Sequence, residues 1–83
     1  MGRDHDLKCW PAQFQATKLS LKPFEARRND RGFCIGDRLL LNEWDPLCGA
    51  YTGDGLVRVV TYVLDGGQFG IDPDFVVMGL GLA

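Results

Sequence analysis

Leu56-Val57-Arg58-Val59-Val60-Thr61-Tyr62-Val63-Leu64 is the stretch on which the fold turns. Val57, Val59, Val60, Thr61, Tyr62 and Val63 are β-branched or aromatic, side chains that pack well on a pleated surface. A strand over residues 56–64 therefore anchors a sheet. Downstream, Asp65-Gly66-Gly67-Gln68-Phe69-Gly70 offers backbone N–H groups for a phosphate or makes a tight turn between strands. It lacks the Lys-Ser/Thr pair and the following helix of a P-loop, which favours the turn. Residues 75–82 form a last strand, with Gly79 and Gly81 permitting a bulge or a sharp bend.

Upstream, residues 38–44 read as a strand. Residues 45–55, with Pro46, Gly49, Gly53 and Gly55, read as the hairpin loop that follows it. Asn29-Asp30-Arg31-Gly32 and Gly36-Asp37 carry turn chemistry on either side of Phe33, Cys34 and Ile35. Pro23 excludes a helix, and residues 24–28 alternate apolar and charged side chains as an extended segment does. Pro11 suits the first turn of a helix, and Phe14 and Lys18 share one face of about two turns ending near Leu19 or Ser20. Residues 5–10 form a first short strand. Several strands and one clear helix in 83 residues specify a single α+β domain over residues 1–83. A small β-barrel with one or two short helices is expected, because closure removes edges that so small a sheet leaves unpaired.

The 46% hydrophobic and 24% charged fractions are those of a folded chain, and no apolar run reaches the length of a membrane span. Residues 1–6 lack the apolar core of a secretory signal, so the cytoplasm is the expected compartment. Cys9, Cys34 and Cys48 form no CxxC pair and read as reduced thiols. With His5 the only histidine, neither a zinc site nor a Ser-His-Asp triad on Ser20 is expected. His5, between Asp4 and Asp6, either titrates near neutrality or caps the first strand.

The net charge of −2 disfavours an anionic partner until it is divided along the chain. Residues 1–38 hold eight Lys or Arg (Arg3, Lys8, Lys18, Lys22, Arg27, Arg28, Arg31, Arg38) against five acids, a balance of +3. Residues 39–83 hold only Arg58 against six acids, a balance of −5. Such polarity lets a small domain present one positive face. The densest polar region is Lys22-Pro23-Phe24-Glu25-Ala26-Arg27-Arg28-Asn29-Asp30-Arg31. On an extended segment Glu25 and Arg27 are same-face neighbours, while Lys22 falls with Phe24 and Ala26 on the other face. Glu25 either fixes the Arg27 guanidinium for a phosphate or base edge, or makes a structural ion pair on a barrel wall. Among the aromatics, Phe14, Phe24, Phe33, Phe69 and Phe75 are expected in the core. Trp10 stands out as a stacking surface, placed between Lys8 and Pro11.

Lys22-x-x-Glu25-x-Arg27, after a short helix and before a Gly-Asp turn, resembles the Gly-x-Lys-x-x-Glu-x-Arg signature of the ASCH domain, in the PUA-like superfamily. The wider pattern is similar to a compact bacterial and phage family of ASCH/PUA-like domains. It runs through His5-x-Leu7-Lys8-x-Trp10-Pro11, Asn29-Asp30-Arg31-x-Phe33-x-x-Gly36-Asp37 and Thr61–Gly70, and covers nearly the whole chain. The resemblance implies a PUA-type barrel whose cleft takes RNA or a nucleotide, with Lys22, Glu25 and Arg27 at the cleft and Lys8 nearby. Two positions depart from it. Ser20 stands where the signature has Gly. Glu25 stands where similar amidohydrolases acting on acetylated cytidine place a Thr nucleophile, and Thr17 and Thr61 are out of register with it.

The expectation is a monomeric module that binds RNA or a nucleotide through Lys8, Trp10, Lys22, Glu25, Arg27 and Arg31, with no cofactor, metal or membrane. The alternative is a small hydrolase of a modified nucleoside or of RNA, with Glu25 as general base and Lys22 beside it as the candidate catalytic pair. A third reading is a factor that docks on a protein through an apolar patch at Trp44, Pro46, Leu47 and Tyr51.

Overall fold

A computed structural model describes residues 2–83, so residue 1 of the expected domain lies outside the described residues. The order is β1 (Asp4–Cys9), α1 (Pro11–Lys18), β2 (Phe24–Arg28), β3 (Arg38–Asp45), β4 (Ala50–Asp65) and β5 (Phe75–Leu82). The strands form one sheet in the order β1-β3-β4-β5-β2, parallel only between β1 and β3. This is an α+β fold with one short helix, its sheet curled into a half-barrel. No described helix is long and apolar enough to cross a membrane.

The hydrophobic pattern sets the concave face. His5, Leu7 and Cys9 of β1, Leu39 and Leu41 of β3, Val60 of β4, and Val76 and Met78 of β5 are buried there, with Phe14 of α1 and Phe33 against them. Two bulges interrupt the ladders, one at Glu43 of β3 and one in β4. Val60 pairs with Leu80 and Tyr62 with Gly79, leaving Thr61 as the extra residue of β4. A Cβ on Gly79 would stand 2.8 Å from Thr61 Oγ1, and one on Gly81 2.9 Å from Thr61 Cγ2. The two glycines thus make room for the bulged threonine rather than merely weakening a strand.

Ladder closure, expected for a barrel, does not occur. β1 and β2 are the two outer strands, and arginines join them instead. Arg27 Nη2 donates to the Lys8 carbonyl (2.8 Å) and Arg31 Nη1 to the Asp6 carbonyl (2.9 Å). Arg3 Nη2 donates in the other direction, to the Arg31 carbonyl (3.0 Å) and to Gly32. No backbone ladder joins β2 to β1, and side chains satisfy the edge carbonyls there.

Three further expectations are corrected. The β3–β4 loop is only residues 46–49, because β4 starts at Ala50 and carries Gly53 and Gly55 within the strand. Phe24 is exposed, since Glu25 rather than Phe24 takes the inward position of β2. Phe69 is 83% exposed at the tip of the glycine loop.

Ser20 resolves the departure from the glycine signature. It adopts φ 61° itself, and its N–H reaches the Thr17 carbonyl (3.0 Å) while the Leu21 N–H reaches Ala16 (2.9 Å). These two bonds make a Schellman cap, with serine where glycine is favoured. The left-handed conformation costs a serine about 1 kcal/mol. Ser20→Gly should therefore raise stability by roughly 0.5–1 kcal/mol, part of the relief being offset by the greater freedom of glycine when unfolded. Urea denaturation checks this; an unchanged or lower midpoint contradicts it.

Candidate functional site

The approach to the site is set by the helix cap. The turn at Leu19 and Ser20 sends the chain back along α1, and the Lys22 N–H still bonds to the Ala16 carbonyl (3.1 Å). Lys22 therefore precedes β2 and is not bound by its alternation. Its ammonium swings to the inner face, 2.9 Å from Glu25 Oε1. This corrects the expectation that Lys22 points away from Glu25 and Arg27.

Glu25 is the centre of the cluster. Its side chain is 4% exposed, and its other oxygen, Oε2, accepts from Arg27 Nε at 2.6 Å. Both carboxylate oxygens are thus occupied by cations. The structural reading of the Glu25–Arg27 pair and the positioning reading coincide: the carboxylate holds Lys22 and Arg27 at a fixed spacing. Two positive charges against one leave the cluster cationic. Arg27 spends Nε on Glu25 and Nη2 on the Lys8 carbonyl, and Nη1 makes no hydrogen bond among the described residues. Among the described residues Lys22 Nζ has one hydrogen-bond partner, Glu25, and it lies 5.6 Å from the Phe24 ring centre.

These groups line a cleft of about 430 Å³ between the β1–α1 junction and β2. Its walls are Lys8, Cys9, Trp10, Gln13, Lys22, Phe24, Glu25, Ala26 and Arg27. Trp10, at the helix N-terminus before Pro11, is 48% exposed, and Phe24 is 44% exposed on the same cleft. Two half-open rings thus stand beside two cations in one cleft. The Cys9 thiol is buried in the wall and pushed above its ordinary pKa, first by burial and then by the Glu25 charge. It is therefore a packing group here rather than a nucleophile.

Five of the six expected binding residues meet in this cleft, but not all through their side-chain ends. Lys8 contributes its carbonyl to Arg27, while its ammonium lies 3.8 Å from the centre of the Trp44 ring, on a residue outside the cleft. Arg31 is absent from the cleft walls and lines a separate hollow beyond Arg27. His5 neither faces the cleft nor caps a strand end. It is buried against Asp37, Nε2 to Oδ2 2.8 Å, with its ring edge-on to Phe33. Sequence reasoning missed Asp37, whose carboxylate also accepts from the Arg3 and Cys34 N–H groups at 3.0 Å each. The partners lie up to 34 residues away, a separation that local sequence patterns do not register. Phe24 was missed as a cleft residue because it was assigned to the core.

Among the described residues no cluster of His, Cys, Asp and Glu could hold a metal. The third reading has a structural counterpart: Pro46, Leu47 and Tyr51 are exposed at the β3–β4 hairpin, with Tyr51 edge-on to a half-buried Trp44. None of these residues lines the cleft.

No curated protein matches the sequence. A family profile described as a domain of unknown function (DUF3850) matches residues 4–80, from the first residue of β1 to within two residues of the end of β5. That span takes in all but the last two residues of the half-barrel and every residue of the cleft, and the chain belongs to this family of domains of unknown function, DUF3850.

Proposed function

We propose that the chain is a recognition module that binds RNA or a nucleotide in the cleft between β2 and the β1–α1 junction. The observation that carries this reading is the convergence of Lys22 and Arg27 on a buried Glu25, beside the exposed rings of Trp10 and Phe24. The Glu25 strut keeps two cations pre-organised, so a phosphate gains charge-assisted hydrogen bonds without first ordering long side chains. The rings offer stacking surface that tolerates any base. The resemblance to ASCH/PUA-like domains points to the same ligand class.

The hydrolase alternative draws no support from this geometry. A general base needs an oxygen that can meet the proton it takes, and both oxygens of Glu25 already accept from cations in a closed position. The docking alternative keeps one supporting observation, the exposed apolar hairpin, which is separate from the cleft and compatible with binding there.

The test is a titration followed by Trp fluorescence, since Trp10 lines the cleft. Uridine 5′-monophosphate should bind at low salt, and affinity should fall as salt rises. Lys22→Ala should weaken binding roughly tenfold, the loss of one charge-assisted hydrogen bond. Equal affinity in the variant would remove Lys22 from the site, and no binding of nucleotide or RNA by the wild type would overturn the reading.

A further inference from the structure

Arg31, set apart from the cleft, leads to a second hollow. About 140 Å³ in volume, it lies across the Arg27 bridge and is lined by Leu7, Arg27, Arg28, Asp30, Arg31 and Phe33. Leu7 and Phe33 belong to the buried core, so the floor is apolar and fixed. The rim carries three guanidinium groups and one carboxylate. Arg31 gives Nη1 to the Asp6 carbonyl and lies only loosely against Asp30, at 3.9 Å. Arg28 lies over the Phe75 ring and 3.7 Å from an exposed Asp74, with no hydrogen bond from its guanidinium among the described residues. Donors therefore outnumber the acceptors that the fold supplies.

The two hollows share one wall, and that wall is Arg27. We propose that the second hollow is a phosphate subsite, so that the cleft and its neighbour together take adjacent phosphates of a single-stranded nucleic acid, with Arg27 between them. This rests on the nucleotide-binding reading of the cleft and extends it from a mononucleotide to a strand. A nucleic-acid strand carries one charge per nucleotide, and basic side chains follow one another here from Lys22, just before β2, through Arg27 and Arg28 at the end of β2 to Arg31 beyond it. The half-barrel explains the layout. Because β2 closes on β1 with arginines instead of a ladder, the seam is itself a row of guanidinium groups at the surface.

Titrations with 5′-phosphorylated uridine mono-, di- and trinucleotides test the subsite. The dinucleotide should bind at least about tenfold more tightly than the mononucleotide, for one more charge-assisted phosphate contact. Its log Kd should also depend on log salt more steeply, by about 0.7. Arg28→Ser should reduce the ratio of dinucleotide to mononucleotide affinity several-fold; Arg28→Gln serves if the first variant melts early. Equal affinity for mono- and dinucleotide overturns the subsite and leaves the cleft reading standing. Binding of neither overturns both. Displacement of the dinucleotide by an equimolar Asp/Glu octapeptide would assign the hollow to an acidic protein segment instead, and so also overturn the proposal.

Discussion

Glu25→Gln is expected to cost about 2 kcal/mol of stability, lowering the melting midpoint of so small a domain by roughly 10 °C. Removing one partner of a buried ion pair typically costs about 3–5 kcal/mol. The lower figure applies here because Lys22 and Arg27 keep 15% and 24% of their side chains open to water. The amide also points donors at a cation where a carboxylate oxygen accepted. A second result should accompany the loss. With the internal anion gone, inorganic phosphate should raise the melting midpoint of the variant more than that of the wild type, because a bound anion replaces the missing charge. Thermal melts in phosphate and in an uncharged buffer of equal ionic strength give both numbers. A variant as stable as the wild type would mean that Glu25 does not hold the two cations in place.

Asp37→Ala should be the more damaging change, with an expected loss of about 3 kcal/mol or more. The carboxylate accepts from the Arg3 N–H, the Cys34 N–H and His5 Nε2, while the Asp37 carbonyl accepts from the Val60 N–H at 2.8 Å. The carboxylate thereby ties β1 to the β2–β3 connection at one end of the sheet, while the backbone bond to β4 survives the substitution. Burial alone would raise its pKa, but the bonds from Arg3, His5 and Cys34 outweigh burial and lower it from 3.8 to about 2. A carboxyl with a depressed folded pKa contributes stability that is present above the unfolded value and lost as pH falls through the folded one. Wild-type stability should thus hold above about pH 4 and decline between pH 4 and pH 2, a limb that Asp37→Asn should flatten. Urea midpoints across this range decide it. An acid limb of the same depth in Asp37→Asn would show that Asp37 is not its source.

What was legible in the sequence follows the range of each interaction. Local patterns gave the strands, the helix start at Pro11 and the shared face of Glu25 and Arg27, since alternation acts over two residues. Trp10 was legible for the same reason: Pro11 fixes the helix start, and the residue before it stays outside the helix. Alternation does not govern Lys22, which lies two residues before β2 begins at Phe24. The Lys8 ammonium was misplaced because its partner, Trp44, is brought near only by the parallel β1–β3 pairing, a long-range feature. The hairpin was drawn too long because Gly53 and Gly55 signal a turn locally, whereas pairing with β3 carries β4 back to Ala50. Barrel closure was overestimated because the edge argument counts only ladder partners, and arginine side chains satisfy edge carbonyls equally well.

The most direct measurement follows the side-chain NMR signals of Lys22 Nζ and Arg27 Nε while RNA trinucleotide is added at low salt. Both should shift together in a saturable way, along with the Trp10 indole, while the signals of Lys18 and Arg38, which pair with Asp54 and Asp4 away from the cleft, stay in place. Stationary Lys22 and Arg27 signals under these conditions would contradict nucleic-acid recognition at the cleft.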